Sequence, residues 1–391
     1  MAYKWTSFDI NRSLLKLKKI IDKTTSWEDK LYYSKVFGET LNVLNMFEYN
    51  LDMETEPSLN DRLIELTSCF YTNNAWYSLA EEIYKRVEVV DAFSYDATQA
   101  INRRISQDKS FTLDTGSYIG HDRVLSMVDD FYRRFDPDIY EYYKIIHKHR
   151  RKAFDFVSVD KNSTSECFLV DGPKDFFINI VNNYGIKKYC DSVHECGHVI
   201  EFLMNSRMCY NDNPNYFTEV ASIFPELVAF EEGFHSKEKD NYLYQYFCSL
   251  AATLDELASL MNHSIIVDAF TSHDCKSDGN FFKYLKEEYD ISKKDVIESL
   301  DVKIEGIGTY ITSMATSLEL LHIYKKDKKK ALELFKQLLM VHNDCNINAQ
   351  YMNAVPFTDG MVKELTLFKY EYTSLLDRNG VRLWNHGIMI I

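Results

Sequence analysis

His194-Glu195-Cys196-Gly197-His198, followed by Thr218-Glu219-Val220-Ala221-Ser222-Ile223-Phe224-Pro225-Glu226, decides how this chain reads. On a helix the two histidines of an HExxH motif lie one turn apart on the same face, the spacing that grips one zinc ion. Two imidazoles leave such an ion short of ligands. A carboxylate from a second helix, with water in the fourth position, completes a catalytic tetrahedron, and Glu219 is the candidate. Val193, Val199, Ile200, Phe202, Leu203 and Met204 surround the motif, so the segment is expected to be buried. A buried His-His-Glu cluster without a metal would carry a desolvation cost with no partner to offset it. Glu226, seven residues after Glu219, returns to the same helical face, where it either holds the other ring nitrogen of a ligand histidine or is a solvated surface acid. Pro225 predicts a kink near Ala221. Cys196 is expected to face the core, and Cys190, which shares the face of the ligands, is read as packing.

Taken together, the HExGH helix, an intervening loop and Glu-Val-Ala-Ser-x-x-x-Glu resemble the active site of the thimet oligopeptidase and oligoendopeptidase F metallopeptidases, more closely the latter. The resemblance implies one Zn2+ per chain on His194, His198 and Glu219, with Glu195 as general base. The loop from Asn205 to Phe217 is shorter than in that family. Phe176 to Asn183 is β-rich and ends in a turn. In the family a comparable strand is the edge of a small sheet and pairs with the bound peptide, which places Ile178, Asn179, Ile180 and Val181 against an extended substrate. Asp171-Gly172-Pro173 predicts a turn that makes a hairpin of Phe168-Leu169-Val170 and the Phe176 strand. Farther downstream the run Ile304 to Ser317 stands where the family supplies a histidine and tyrosines to the oxyanion. Only Tyr310 is retained, with Thr312 and Met314 at other tyrosine positions and no histidine near Ile304. Loss of one such donor costs about 10²–10³ in rate.

Thirteen glycines and six prolines in 391 residues leave little material for loops, and 46% hydrophobic residues supply a sizeable core. The expected fold is therefore mainly α, and the resemblance implies a zincin-like helical metallopeptidase with a small β-sheet beside the active-site helix. Residues 1–150 read as a helical region forming one wall of a cleft, with stripes over 14–21, 26–47, 58–70 and 75–90 and turns at 114–117 and 136–138. Residues 151–391 read as the catalytic domain, with further amphipathic helices over 242–260, 331–341 and 361–376. The net charge of −14 disfavours a nucleic-acid partner. No signal-peptide pattern and no membrane-spanning run is present, and eight cysteines without paired spacing suit a reducing compartment, so a cytoplasmic location is expected. The basic runs at 147–152 and 325–330 read as a solvated helix end and a solvated junction.

These readings converge on a zinc-dependent endopeptidase acting on short extended peptides. Two alternatives stand beside it: a metallocarboxypeptidase, which needs a basic clamp such as Arg207 or the 147–152 patch, and a relative that binds peptides with weakened turnover. The oligomeric state is open.

Overall fold

The computed structural model describes residues 16–17, 19–20, 23, 58–72, 119–157, 165–170, 175–181, 185–204, 219–272, 279–300, 304–340, 359–378, 381–384 and 387–390. The chain begins its described course with helices α1 (Leu59–Thr72), α2 (His121–Phe135) and α3 (Pro137–Ala153), then strands β1 (Phe154–Val157), β2 (Glu166–Val170) and β3 (Asp175–Val181). The central pair follows as α4 (Ile186–Met204) and α5 (Val220–Gly233). Beyond them come α6 (Lys239–Ser272), α7 (Gly279–Tyr289), α8 (Lys293–Leu300), α9 (Ile304–Lys326), α10 (Lys328–Met340), α11 (Asp359–Arg378) and a hairpin of β4 (Val381–Trp384) and β5 (Gly387–Ile390). The protein is mainly helical with a small sheet against α4, as the composition and the motif predict.

Helix starts follow from local chemistry. The Ser58 hydroxyl accepts from the Asp61 amide while the Asp61 carboxylate accepts from the Ser58 amide, each at 3.2 Å, and Leu63 and Leu66 then turn inward. Asp136, expected as a turn, caps α3: its side chain accepts from the amides of Asp138 and Ile139, with Pro137 at the first helical position. The other stripes expected before residue 118 lie outside the described residues, apart from helical positions at 16–17, 19–20 and 23.

The core runs continuously across residue 150. Val124, Val128, Phe131, Tyr132 and Phe135 of α2 are fully buried, and the Tyr132 hydroxyl donates to the Val193 carbonyl of α4 at 2.7 Å. Phe135 meets Phe224 of α5 and Phe335 of α10. In consequence α2 and α3 are built into the same core as the HExxH helix.

The sheet corrects one expectation. The β2–β3 hairpin forms as Asp171-Gly172-Pro173 predicts, with Cys167 opposite Ile178 and Phe168 opposite Phe177. β1, which the sequence reading left unassigned, pairs in parallel with the other side of β3, and the strand order is β1-β3-β2. β3 is therefore the central strand. Ile178, Asn179, Ile180 and Val181 all pair with β1, and Ile178 and Asn179 also with β2, so at Ile178 and Asn179 the strand is paired on both sides. The run at 325–330 is an exposed junction, as expected, in which Asp327 separates α9 from α10. Lys325 also reaches two carboxylates there, Glu231 at 2.8 Å and Glu364 at 2.7 Å.

Candidate active site

α4 and α5 can lie against each other because one position has no side chain. A Cβ on Gly197 would fall 2.2 Å from the carbonyl oxygen of Ala221 and 2.8 Å from the Ser222 Cα. That carbonyl is the one which Pro225, lacking an N–H, leaves without its helical donor. Glycine in HExGH and proline one turn into α5 thus allow the two backbones to touch, which brings the start of α5 beside the histidines.

The result is a three-ligand cluster. One donor atom each from His194, His198 and Glu219 lies within 4.8 Å of the others. The Oε2 of Glu219 is 3.5 Å from His194 Nε2 and 3.3 Å from His198 Nε2. For metal–ligand bonds of about 2.1 Å, a tetrahedron separates its ligand atoms by about 3.4 Å, so the residues fit a zinc-sized ion. On its other side His194 Nδ1 rests on Glu226 Oε2 at 3.0 Å, which fixes the ring and leaves Nε2 facing the cluster. Of the two readings open for Glu226, the histidine support is the one observed.

Sequence reasoning missed Ser222. Its buried hydroxyl donates to the carbonyl of Glu219 at 2.9 Å and lies 3.1 Å from Glu219 Oε2, holding the carboxylate toward the histidines. The signal was present in the spacing, since a serine three residues after a carboxylate at a helix start reaches back to it.

Charge in the site is dominated by burial and by these pairs. Burial opposes a charge on His194, but Glu219 and Glu226 outweigh it and hold the ring well above the ordinary histidine range. Burial likewise opposes charge on His198, and Glu219 again prevails. Glu219, although desolvated, is held below the usual carboxylate range by His198 and His194. Glu195 behaves differently. It is 6% exposed, and burial raises its carboxyl above the ordinary value against the opposing pull of His194 and His198. It is an acid that stands beside the cluster and retains basicity.

Cys196 and Cys190 are both buried, as expected for packing. Tyr310 lies in α9, which packs on α5, and is 41% exposed. Asn205 to Phe217, and Arg207 with it, lie outside the described residues. In the 147–152 run, Arg150 donates to the His147 carbonyl and His147 lies 3.3 Å from Asp129, so these two side chains serve the helix end. Asp191 and Lys187, one and two turns before His194 on α4, form an ion pair at 2.7 Å that sequence reading also overlooked.

No protein-family model and no curated protein matches this chain. Solved structures do. A Chlamydophila abortus protein described as a peptidase superposes with a TM-score of 0.56 at 12% identity, over 94% of this chain and 64% of its own length. PZ peptidase A with a bound inhibitor gives 0.50 at 12% identity, over 96% and 72%. A Bacillus anthracis structure described as an oligoendopeptidase F gives 0.49 at 14% identity, over 93% and 69%. The chain spans about two thirds of the length of these proteins. Fold and motif agree: this chain shares the fold of the first two of these peptidases and carries, in one half-buried cluster, the HExxH histidines and the downstream glutamate that its sequence resemblance implies.

Proposed function

We propose that the chain is a zinc-dependent endopeptidase that hydrolyses peptide bonds in short extended peptides. The observation that carries this reading is the convergence of His194, His198 and Glu219 with a buried, basic Glu195 at their side. Zinc held by the three ligands supplies a Lewis acid for the scissile carbonyl and lowers the pKa of coordinated water to roughly 7. Glu195 takes the proton of the attacking water and passes it to the leaving amine nitrogen. Glu226 keeps His194 in the tautomer whose Nε2 is free, and Ser222 keeps Glu219 aimed. Tyr310 is assigned as an oxyanion donor on the resemblance alone.

The peptide pairs with β2, one of the two outer strands of the sheet, in place of the central β3. Residues 1–150 wall the cleft, with α2 and α3 contributing as part of the common core. A cytoplasmic location accords with the cysteine usage, and among the described residues no helix is long and apolar enough to cross a membrane. The test is mass spectrometry of a mixed short-peptide library incubated with purified protein. Internal cleavage that stops on chelation and returns with added zinc is the expected outcome. Removal of single carboxy-terminal residues would replace the endopeptidase by the carboxypeptidase reading, and no cleavage by protein with zinc bound would favour a binding role.

A further inference from the structure

The far end of α5 borders a cavity of about 270 Å³ that the peptidase reading leaves unused. Its walls follow from helical spacing. Glu364, Leu367 and Glu371, at i, i+3 and i+7, turn one face of α11 toward it, and Lys239 and Tyr246, seven residues apart, do the same from α6. Glu231 and Phe234 line it from the end of α5, and Lys325 enters from α9. α5 and α6 meet closely at this point. A Cβ on Gly233 would fall 2.2 Å from the Tyr242 ring, and Tyr246 stacks on Phe230 with ring centres 5.3 Å apart.

The lining sets both signs of charge beside an apolar wall. At the inner end Lys325 pairs with Glu231 at 2.8 Å and with the buried Glu364 at 2.7 Å, and at the more exposed mouth Lys239 pairs with Glu371 at 2.7 Å. Lys326, held against His322 behind Glu364, brings three ammonium groups to three carboxylates. Net charge therefore draws in no ion of one sign. The inner pair still has capacity for a ligand. Lys325 commits two of its three N–H groups, and Glu231 is engaged through Oε2. Phe234 lies one turn beyond Glu231, with its ring 5.8 Å from that of Tyr246, and Leu367 stands 55% exposed across from them. The volume falls just under the roughly 300–1,000 Å³ of pockets for drug-sized ligands, so a single small metabolite fills it.

We propose that this cavity binds a free α-amino acid with an apolar side chain. Such a molecule carries its ammonium and carboxylate on one carbon, compact enough to lie along a single ion pair. Glu231 accepts from the ammonium, Lys325 donates its remaining N–H to the carboxylate, and the side chain packs on Phe234, Tyr246 and Leu367. An amine or a fatty acid of the same shape answers only one member of the pair and leaves the other against hydrocarbon. Free amino acids are the end products of peptide breakdown, and the cavity brings that pool to the helix that carries Glu226, about 20 Å from Glu219 along its axis. The binding itself does not depend on the peptidase reading.

The test is calorimetric titration of the zinc-loaded protein with four probes: leucine, 4-methylpentanoate, 3-methylbutylamine and glycine. The second lacks the ammonium of leucine, the third its carboxylate and the fourth its side chain. The proposal expects one leucine per chain, and each of the other three to bind at least about tenfold more weakly. Glu231→Gln should weaken leucine about tenfold and leave 4-methylpentanoate unchanged, a split that a general loss of structure would not give. Leu367→Trp, at an exposed position, fills the cavity and should abolish leucine binding with zinc content unchanged. No leucine binding by the wild-type protein overturns the proposal. So does leucine binding that persists in Leu367→Trp, which would put the site elsewhere, or an acid or amine that binds as tightly as leucine. Cleavage enters none of these readings, so failure of the peptidase reading would appear separately, in the peptide-library experiment.

Discussion

Helix α5 has a histidine–carboxylate cluster at each end, and the two are built alike on one side and oppositely on the other. At its start, His194 Nδ1 rests on Glu226 at 3.0 Å; near its end, His322 Nδ1 rests on Glu364 at 2.9 Å. The difference lies at the second ring nitrogen. His194 Nε2 faces the carboxylate of Glu219 beside His198, whereas His322 Nε2 meets the Lys326 ammonium at 2.6 Å. Lys325 then bonds both Glu364 and Glu231, so the far cluster is compensated by cations of the chain itself. Around Glu219 the partners among the described residues are His194, His198 and Ser222. A half-buried histidine held by a glutamate is therefore common to a structural network and a candidate metal centre. What distinguishes the centre is that its free lone pairs converge where no lysine of the pair's own helices answers them.

The largest contrast is expected from removing one carboxylate at each end. Glu219→Ala should abolish zinc binding and peptide cleavage together, while Glu364→Gln should leave one zinc per chain and lower stability by about 1–3 kcal/mol, because it weakens the bonds of a buried carboxylate to Lys325 and His322. Elemental analysis beside a denaturation curve reads both; zinc lost equally from the two variants would erase the distinction. Gly197→Ala should follow closely in severity. Its new methyl meets the Ala221 carbonyl at 2.2 Å, so α4 and α5 must separate, and both zinc content and melting temperature should fall. A variant that retains zinc at wild-type affinity would show that the backbone contact does not set the site.

Supporting residues should give smaller, graded effects. Glu226→Gln is expected to weaken zinc affinity about 10–100-fold in a chelator competition, since it removes the charge behind His194. Ser222→Ala removes one hydrogen bond to Glu219 and should cost about 1 kcal/mol, roughly a fivefold loss of affinity. If Ser222→Ala exceeded Glu226→Gln, the orientation of the carboxylate would matter more than the tautomer of the histidine.

How much of this was legible in the sequence depends on the range of each interaction. The HExxH spacing, Glu219 and the return of Glu226 follow from helical periodicity, and the structure places them as the pattern predicts. The β2–β3 hairpin was legible because its turn chemistry is local. The central position of β3 was not, because it depends on β1, four residues directly after a helix whose parallel pairing is a crossover without a local signal. The far cluster was hidden for the same reason: the carboxylates that Lys325 pairs with, Glu231 and Glu364, are distant from its exposed run in sequence. Lys187 and Asp191 stood at the i,i+4 spacing of an ordinary surface pair, and only the approach of Ser165 marks their place beside the sheet.

The central claim is that the cluster at the start of α5 holds zinc and that Glu195 works beside it without holding it. The direct measurement is the rate of internal peptide cleavage by zinc-loaded Glu195→Gln relative to wild type, with bound zinc quantified in both. The account predicts one zinc per chain in each protein and a rate lower in the variant by about 10²–10⁴. A variant that cleaves at the wild-type rate, or one whose activity falls only because its zinc has gone, would contradict it.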